Sequence, residues 1–128
     1  MFAQWLARFF SGVRVGLMSS IVLKLGADVS NLAPELTARL NAAQRALLSR
    51  GMGLRVTAGR NGKHRIGSFH YNGTAVDITP ANRADGFNPA RRRVYIGALQ
   101  AQGLRVVDEY AQASANSTGG HLHVEWRG

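Results

Sequence analysis

Side chains that could bind a metal ion lie in two short stretches of the chain. Residues 68–77 include His70 and Asp77, and residues 119–126 hold the other candidates: His121, His123 and Glu125. Cysteine is absent from the sequence, so only imidazole and carboxylate groups could hold a metal here. Two imidazoles and one carboxylate form a ligand set that suits zinc with an open fourth position.

Strand alternation predicts which of these side chains could meet, because alternate residues of a strand share one face. Asp77 would lie opposite the apolar Val76 and Ile78, and the second strand would carry three polar residues on one face: His121, His123 and Glu125. If the strands are neighbours and the turn at 72–73 brings His70 back over Asp77, one group forms: His70, Asp77 and His123. Taken alone, His-x-His on a strand more often indicates exposed or hydrogen-bonded histidines.

The first stretch also fits a recognisable pattern, Ser-x-His-x-x-Gly-x-Ala-x-Asp, at five positions: Ser68, His70, Gly73, Ala75 and Asp77. With His-x-His near the end of the chain, it resembles the zinc peptidases that include D-alanyl-D-alanine carboxypeptidases, phage endolysins, penicillin-insensitive murein endopeptidases and the zinc domain of hedgehog proteins. The likeness covers about residue 34 to the C-terminus. It implies zinc held by His70, Asp77 and His123, and hydrolysis of peptide bonds in peptidoglycan stem peptides or cross-links.

The sequence departs from this family at the general base. Carboxypeptidase members usually carry an acidic residue three positions before the last ligand, where this chain has Gly120. Members with His-x-His keep an imidazole at the position of His121, so the resemblance assigns that residue to orienting or deprotonating the zinc water. Three carboxylates are alternative bases: Glu125, Asp108 and Glu109. Arg60, one residue out of register with the family's Ser-Gly-x-Arg, could contact a substrate carboxylate or the oxyanion, or be an ordinary surface arginine.

The elements that must position these residues predict an α+β fold. Pro34 and an apolar stripe at helical spacing predict a helix ending near Gly51, and residues 91–102 predict a second one. Strands are predicted at 54–58, 74–79, 104–108 and 121–126. We expect a small antiparallel sheet with the zinc site on one face and the helices packed on the other, in a peptidase domain spanning 34–128.

Residues 1–33 are expected to form a separate N-terminal segment. Apolar residues recur there at three- and four-residue intervals, which predicts an amphipathic helix: Phe2, Trp5, Leu6, Phe9, Val13, Leu17 and Ile21. The uncharged run at 15–23 is well short of the ~20 residues that span a bilayer, and Arg14 interrupts what would be a signal peptide's apolar region. We expect this helix to dock on its own domain, a membrane surface, another copy of the chain or an assembly partner.

Charge favours an anionic partner. The chain has 16 Lys and Arg against 7 Asp and Glu, a formal net charge of +9, which favours nucleic acid, a membrane surface or an acidic cell-wall polymer without choosing among them. The resemblance to peptidoglycan peptidases implies a location in the cell envelope, the periplasm or a phage virion. Nucleic acid is not expected, because no stacking-aromatic pattern or binding motif surrounds the basic runs at 63–65 and 91–93. The alternative function is a non-catalytic, zinc-stabilised structural or assembly protein of a virion, which Gly120 at the base position favours.

Overall fold

Five strands form one sheet in the part of the chain that the computed structural model describes, residues 16–60, 69–70, 72–110 and 119–128. They are β1 (Val22–Leu23), β2 (Leu54–Ala58), β3 (Ala75–Pro80), β4 (Arg105–Asp108) and β5 (Leu122–Glu125), in the spatial order β1-β2-β3-β5-β4. Three helices accompany them in these residues: α1 (Pro34–Leu48), α2 (Arg83–Gly86) and α3 (Pro89–Gln100). The predicted α+β class is confirmed.

The helices begin where local chemistry allows it. Pro34 and Pro89 each occupy the first turn of a helix, where a missing N–H costs nothing. The Asn88 side chain caps α3 by accepting hydrogen bonds from the N–H groups of residues 90 and 91. The two long helices pack on one face of the sheet over a core that includes Leu36, Leu40, Leu47, Val56, Val76, Ile78, Tyr95, Leu99, Leu122 and Val124. The opposite face of β3 carries Asp77 and Thr79.

The prediction of a purely antiparallel sheet is wrong at one edge. Strand β1 pairs with β2 in parallel, with Val22 opposite Arg55 and Leu23 opposite Val56, whereas the other three strand pairs are antiparallel. The sheet is therefore mixed. Strand β1 has only two residues, which is too short to show the alternation by which a strand is predicted from sequence. The spacing of Leu17 and Ile21 instead predicted a helix that continues up to this strand.

The predicted N-terminal helix is wrong for residues 16–21, which form turns leading into β1. Side chains of α1 supply the hydrogen bonds that a helix would otherwise provide. Asn41 accepts from the Met18 N–H at 2.8 Å and donates to the Gly16 carbonyl at 3.1 Å, and Gln44 donates to the Ser20 carbonyl at 3.0 Å. Residues 1–15 lie outside the described residues, so the helix and its docking stay a prediction there.

Residues 16–33 pack on the same core as the domain that follows them. Ile21 is only 5% exposed, and Leu17, Val29 and Leu32 lie against the buried cluster of α1 and the sheet. Residues 16–33 thus contribute to the core. Among the described residues, no helix is long and apolar enough to cross a membrane.

Candidate metal centre

Strands β3 and β5 place a carboxylate and an imidazole face to face. Asp77 and His123 are directly opposite each other in this antiparallel pair, so their side chains leave the sheet on the same side. Asp77 Oδ1 lies 3.4 Å from His123 Nδ1. The adjacency of the two strands, on which the sequence argument depended, is present.

A tight turn before β3 brings His70 to the same point. Gly73 has a φ of +75°, and a Cβ atom there would lie 2.0 Å from the Asn31 carbonyl oxygen, so this turn requires glycine. His70 is 3% exposed, and its Nε2 lies 3.3 Å from Asp77 Oδ1 and 3.1 Å from His123 Nδ1. The structure thus gathers His70, Asp77 and His123. Ser68, the first residue of the family-like pattern, lies outside the described residues.

The ring nitrogens of His70 and His123 that face away from Asp77 each have a hydrogen-bond partner, and these partners determine which nitrogen of each ring is the acceptor. Nδ1 of His70 lies 2.9 Å from the Gly59 carbonyl, which can only accept, so this nitrogen carries the proton. Nε2 of His123 lies 2.9 Å from Glu125 Oε1, and an ionised carboxylate also only accepts. In the neutral rings, the remaining nitrogens therefore present lone pairs to Asp77.

Three acceptor atoms consequently converge: His70 Nε2, Asp77 Oδ1 and His123 Nδ1, all within 4.8 Å of one another. Asp77 Oδ1 is buried and takes no hydrogen bond from any described residue. Lone pairs that face one another repel unless a cation lies between them, so this chemistry fits a metal ion. The prediction that this group could hold a metal is confirmed, and zinc as its identity stays a prediction.

The electrostatics of the group also favour positive charge. Burial raises the pKa of Asp77, but the neighbouring His123 and His70 side chains, when they carry the protons that a metal ion would displace, outweigh it and hold the pKa well below the usual range. Conversely, the Asp77 carboxylate raises the pKa of His123, burial opposes this, and Glu125 adds to the rise. The carboxylate is thus anionic, and the site attracts a cation.

Glu125 has surroundings that differ from those expected of a general base. It is 3% exposed and lies among three cationic or hydrogen-bonding partners: Arg105 at 3.0 Å, Arg127 at 2.5 Å and His123 at 2.9 Å. Burial raises its pKa, but Arg127 and His123 outweigh it, so the pKa is lowered overall. Glu125 contacts the ring nitrogen of His123 that does not face Asp77. It holds that ring in place.

His121 stands beside the group with a carboxylate partner of its own. Its Nε2 lies 3.6 Å from Asp77 Oδ1 and 3.0 Å from Glu109 Oε2, and the Glu109 backbone N–H donates to the His121 carbonyl at 3.0 Å. The partly exposed Glu109 thus reaches the site from the end of β4. Asp108, in contrast, pairs with Arg92 at 3.0 Å and accepts from the Tyr110 N–H, so the structure commits it to other contacts.

Gly120, where the family's acidic base would stand, has no room for a side chain. A Cβ atom there would lie 2.1 Å from Cδ1 of Tyr110. The Tyr110 ring fills this space and makes an edge-on contact with Phe87, at 5.5 Å between ring centroids. A carboxylate at this site must come from another element, and Glu109 is the described residue that provides one.

Arg60 lies next to Gly59, but its described contacts are with Asp28. Its backbone N–H donates to the Asp28 carbonyl at 2.9 Å. The pKa of Asp28 is lowered chiefly by hydrogen bonds from Ser30, and the Arg60 charge adds to this. No described contact joins the Arg60 guanidinium to the candidate metal-binding group, which consists of His70, Asp77 and His123.

Sequence reasoning missed the two arginines that hold Glu125. Arg105 is directly opposite Glu125 in the β4–β5 register, which no local pattern reveals without the strand pairing. No protein-family model matches this chain, and no curated protein matches its sequence.

Proposed function

We propose that the protein is a zinc-dependent peptidase that hydrolyses peptide bonds of peptidoglycan stem peptides or cross-links. The observation that supports it is the convergence of three inward-facing acceptors on one point: His70 Nε2, Asp77 Oδ1 and His123 Nδ1. Two imidazoles and a carboxylate leave a fourth zinc position open for water and substrate. The resemblance of the histidine and aspartate motifs to zinc peptidases supplies the reaction and the substrate, which would place the protein at a cell wall.

Zinc, when bound, supplies a Lewis acid that polarises the scissile carbonyl and acidifies water. The protein's own contribution is proton handling by His121 and Glu109, whose Nε2 and Oε2 atoms lie 3.0 Å apart. The Glu109 carboxylate only accepts, so in the neutral ring Nε2 of His121 carries a proton that it donates to Glu109, while Nδ1 lies 3.4 Å from the Gly119 carbonyl. The Glu109 carboxylate would take the proton of the attacking water, His121 would hold that carboxylate in place by donating from Nε2, and the proton would pass to the leaving amine.

Glu125 contributes through position, because it holds the His123 ring in the orientation that directs Nδ1 at the metal. Arg105 and Arg127 in turn hold Glu125. In this proposal Glu125 orients the ligand His123, and the catalytic role falls to His121 with Glu109.

A non-catalytic, zinc-stabilised assembly protein is the second candidate. The contact between Gly120 and Tyr110 favours it, because the usual position of the acidic base is closed to any side chain. In that case His70, Asp77 and His123 would bind zinc to stabilise the fold, and the Glu109–His121 pair would be a surface ion pair.

Digestion of purified peptidoglycan by the full zinc-loaded chain, with mass analysis of the fragments, tests the proposal. We expect new peptide termini that disappear with a chelator and reappear when zinc is restored. Metal analysis should give about one zinc per chain, lost in His123→Ala and Asp77→Asn and kept in a His64→Ala control. Stoichiometric zinc without any cleavage would contradict the peptidase and support the assembly protein.

A further inference from the structure

A cleft of about 140 Å³ adjoins the metal-binding group on the same face of the sheet. His121 lines it and also reaches toward Asp77, so the cleft and the site share a wall. Three cationic side chains line the cleft: Lys24, Arg55 and Arg83. None of its described lining residues is Asp or Glu.

These three cations have no carboxylate to neutralise them within the described residues. Other cationic residues do pair with a carboxylate: Arg91 pairs with Asp85, and Arg92 pairs with Asp108. Like charges gathered in one cleft repel each other, and a bound anion would relieve that repulsion.

A hydroxyl group at the cleft also has no hydrogen-bond partner among the described residues. Thr79 Oγ1 is buried and makes no hydrogen bond with any described residue, although it lines the same cleft. Buried hydroxyls are normally hydrogen-bonded, so this atom is available to donate to a ligand. Thr79 is directly opposite Arg55 in the β2–β3 register, which places a hydroxyl donor beside a guanidinium.

The remaining wall is aromatic. Phe87 is 68% exposed and contacts Tyr110, and both rings line the cleft. A volume of this size equals that of a few water molecules, enough for a carboxylate and a short aliphatic group but not for a run of stacked nucleotides. The combination of cations, a free hydroxyl and apolar rings suits a small carboxylate on a peptide.

We propose that this cleft binds a carboxylate group of the peptide substrate and thereby positions the scissile bond at the metal centre. The carboxylate could be the peptide's C-terminus or an acidic side chain, and the chemistry of recognition is the same. The proposal rests on the proposed peptidase function for its ligand, but its test measures binding and not cleavage.

Calorimetry on the full zinc-loaded chain with three freshly mixed probes tests the cleft. N-acetyl-Ala-D-Ala carries only a terminal carboxylate, its amide carries none, and N-acetyl-Glu-D-Ala amide carries only a side-chain carboxylate. We expect one or both carboxylate probes to bind about tenfold more tightly than the amide, because a hydrogen bond to a charged group is worth about that factor. The probe that binds more tightly than the amide shows whether the cleft recognises a C-terminal or a side-chain carboxylate.

Arg83→Gln and Lys24→Gln, both at exposed residues, should each remove most of this preference. Arg93→Gln, an exposed arginine of α3 outside the cleft, is the matched control and should keep it. Equal binding of acid and amide probes, or a preference that survives both cleft substitutions, would overturn the proposal. So would binding of an oligonucleotide that depends on Arg83 and Lys24 without any carboxylate preference. A cleft-dependent preference in a protein that cuts no peptidoglycan would support the cleft and contradict the peptidase.

Discussion

Glu125 Oε1 lies 2.9 Å from Nε2 of His123, the ring nitrogen that does not face Asp77. A carboxylate that holds the outer nitrogen of a metal-binding histidine fixes its tautomer and ring orientation and makes the ligand more basic. If His123 binds a metal as proposed, this relationship would make Glu125 a positioning residue.

Replacing Glu125 with Gln should weaken zinc binding by about 10- to 100-fold, because the ring of His123 loses its charged partner. Competition against a chelating indicator dye measures the affinity. Glu35→Gln is the matched control, since Glu35 is exposed and pairs with Arg39 only at 3.6 Å. Circular dichroism should show both variants folded, and equal zinc affinities in the two would contradict the role of Glu125.

His121→Ala and Glu109→Gln should each keep zinc but lose peptide hydrolysis by about 10²- to 10⁴-fold, the range typical of general acid–base catalysis, because the two side chains handle the proton of the water together. Neither residue belongs to the metal-binding group, so metal analysis should be unchanged. Asp108→Asn is the control for a neighbouring carboxylate, because Asp108 is occupied by Arg92 and the Tyr110 N–H. Loss of zinc in His121→Ala would mean that His121 is itself a ligand.

Ile21→Ala should destabilise the protein by about 2 to 5 kcal/mol, the usual cost of emptying a well-packed aliphatic position. The residue is 5% exposed within the core cluster. Leu25→Ala, at a side chain that is 99% exposed, should change stability by less than about 0.5 kcal/mol. Urea unfolding monitored by circular dichroism gives both values. Similar small effects would contradict the packing of residues 16–33 on the domain.

Tyr95 should ionise later than an ordinary tyrosine. Burial, followed by its hydrogen bond to Asp85 at 2.9 Å, raises the pKa of Tyr95 from 10.0 to about 12. The unfolded chain therefore loses this proton first, so the stabilisation from neutral Tyr95 is complete below pH 10.0 and is lost as pH rises through about 12. Ultraviolet absorbance should show one tyrosine titrating near pH 12, and Tyr95→Phe should abolish that step.

The same Tyr95→Phe variant should cost about 1.5 to 3 kcal/mol near neutral pH, since it removes a hydrogen bond to a charged group. Asp85 would keep its ion pair with Arg91 at 2.6 Å, so the lost stability would come from the Tyr95–Asp85 hydrogen bond alone. A variant as stable as the original protein would contradict this contribution.

Local patterns were sufficient where the physics is local. Pro34 with its apolar stripe predicted α1, the alternation around Asp77 predicted β3, and Gly73 in its motif marked the turn that carries His70. Residues 16–21 were misread because their spacing matched a helix, whereas the hydrogen bonds of Asn41 and Gln44, more than 20 residues away, hold them as turns. The apolar spacing within one segment contains no information about hydrogen-bond partners that are so far away in the sequence.

For the candidate metal centre, too, some features follow from the sequence and others only from the tertiary structure. The sequence alone determined the residue types that could bind a metal, their faces on two strands and the absence of thiol ligands. Only the tertiary structure decided that β3 and β5 are neighbours, that Glu125 lies behind His123 between two arginines, and that Glu109 reaches His121 while Tyr110 closes the space at Gly120. The physical reason is that face and turn depend on neighbouring residues, whereas strand order and partner choice depend on the packing of the whole core.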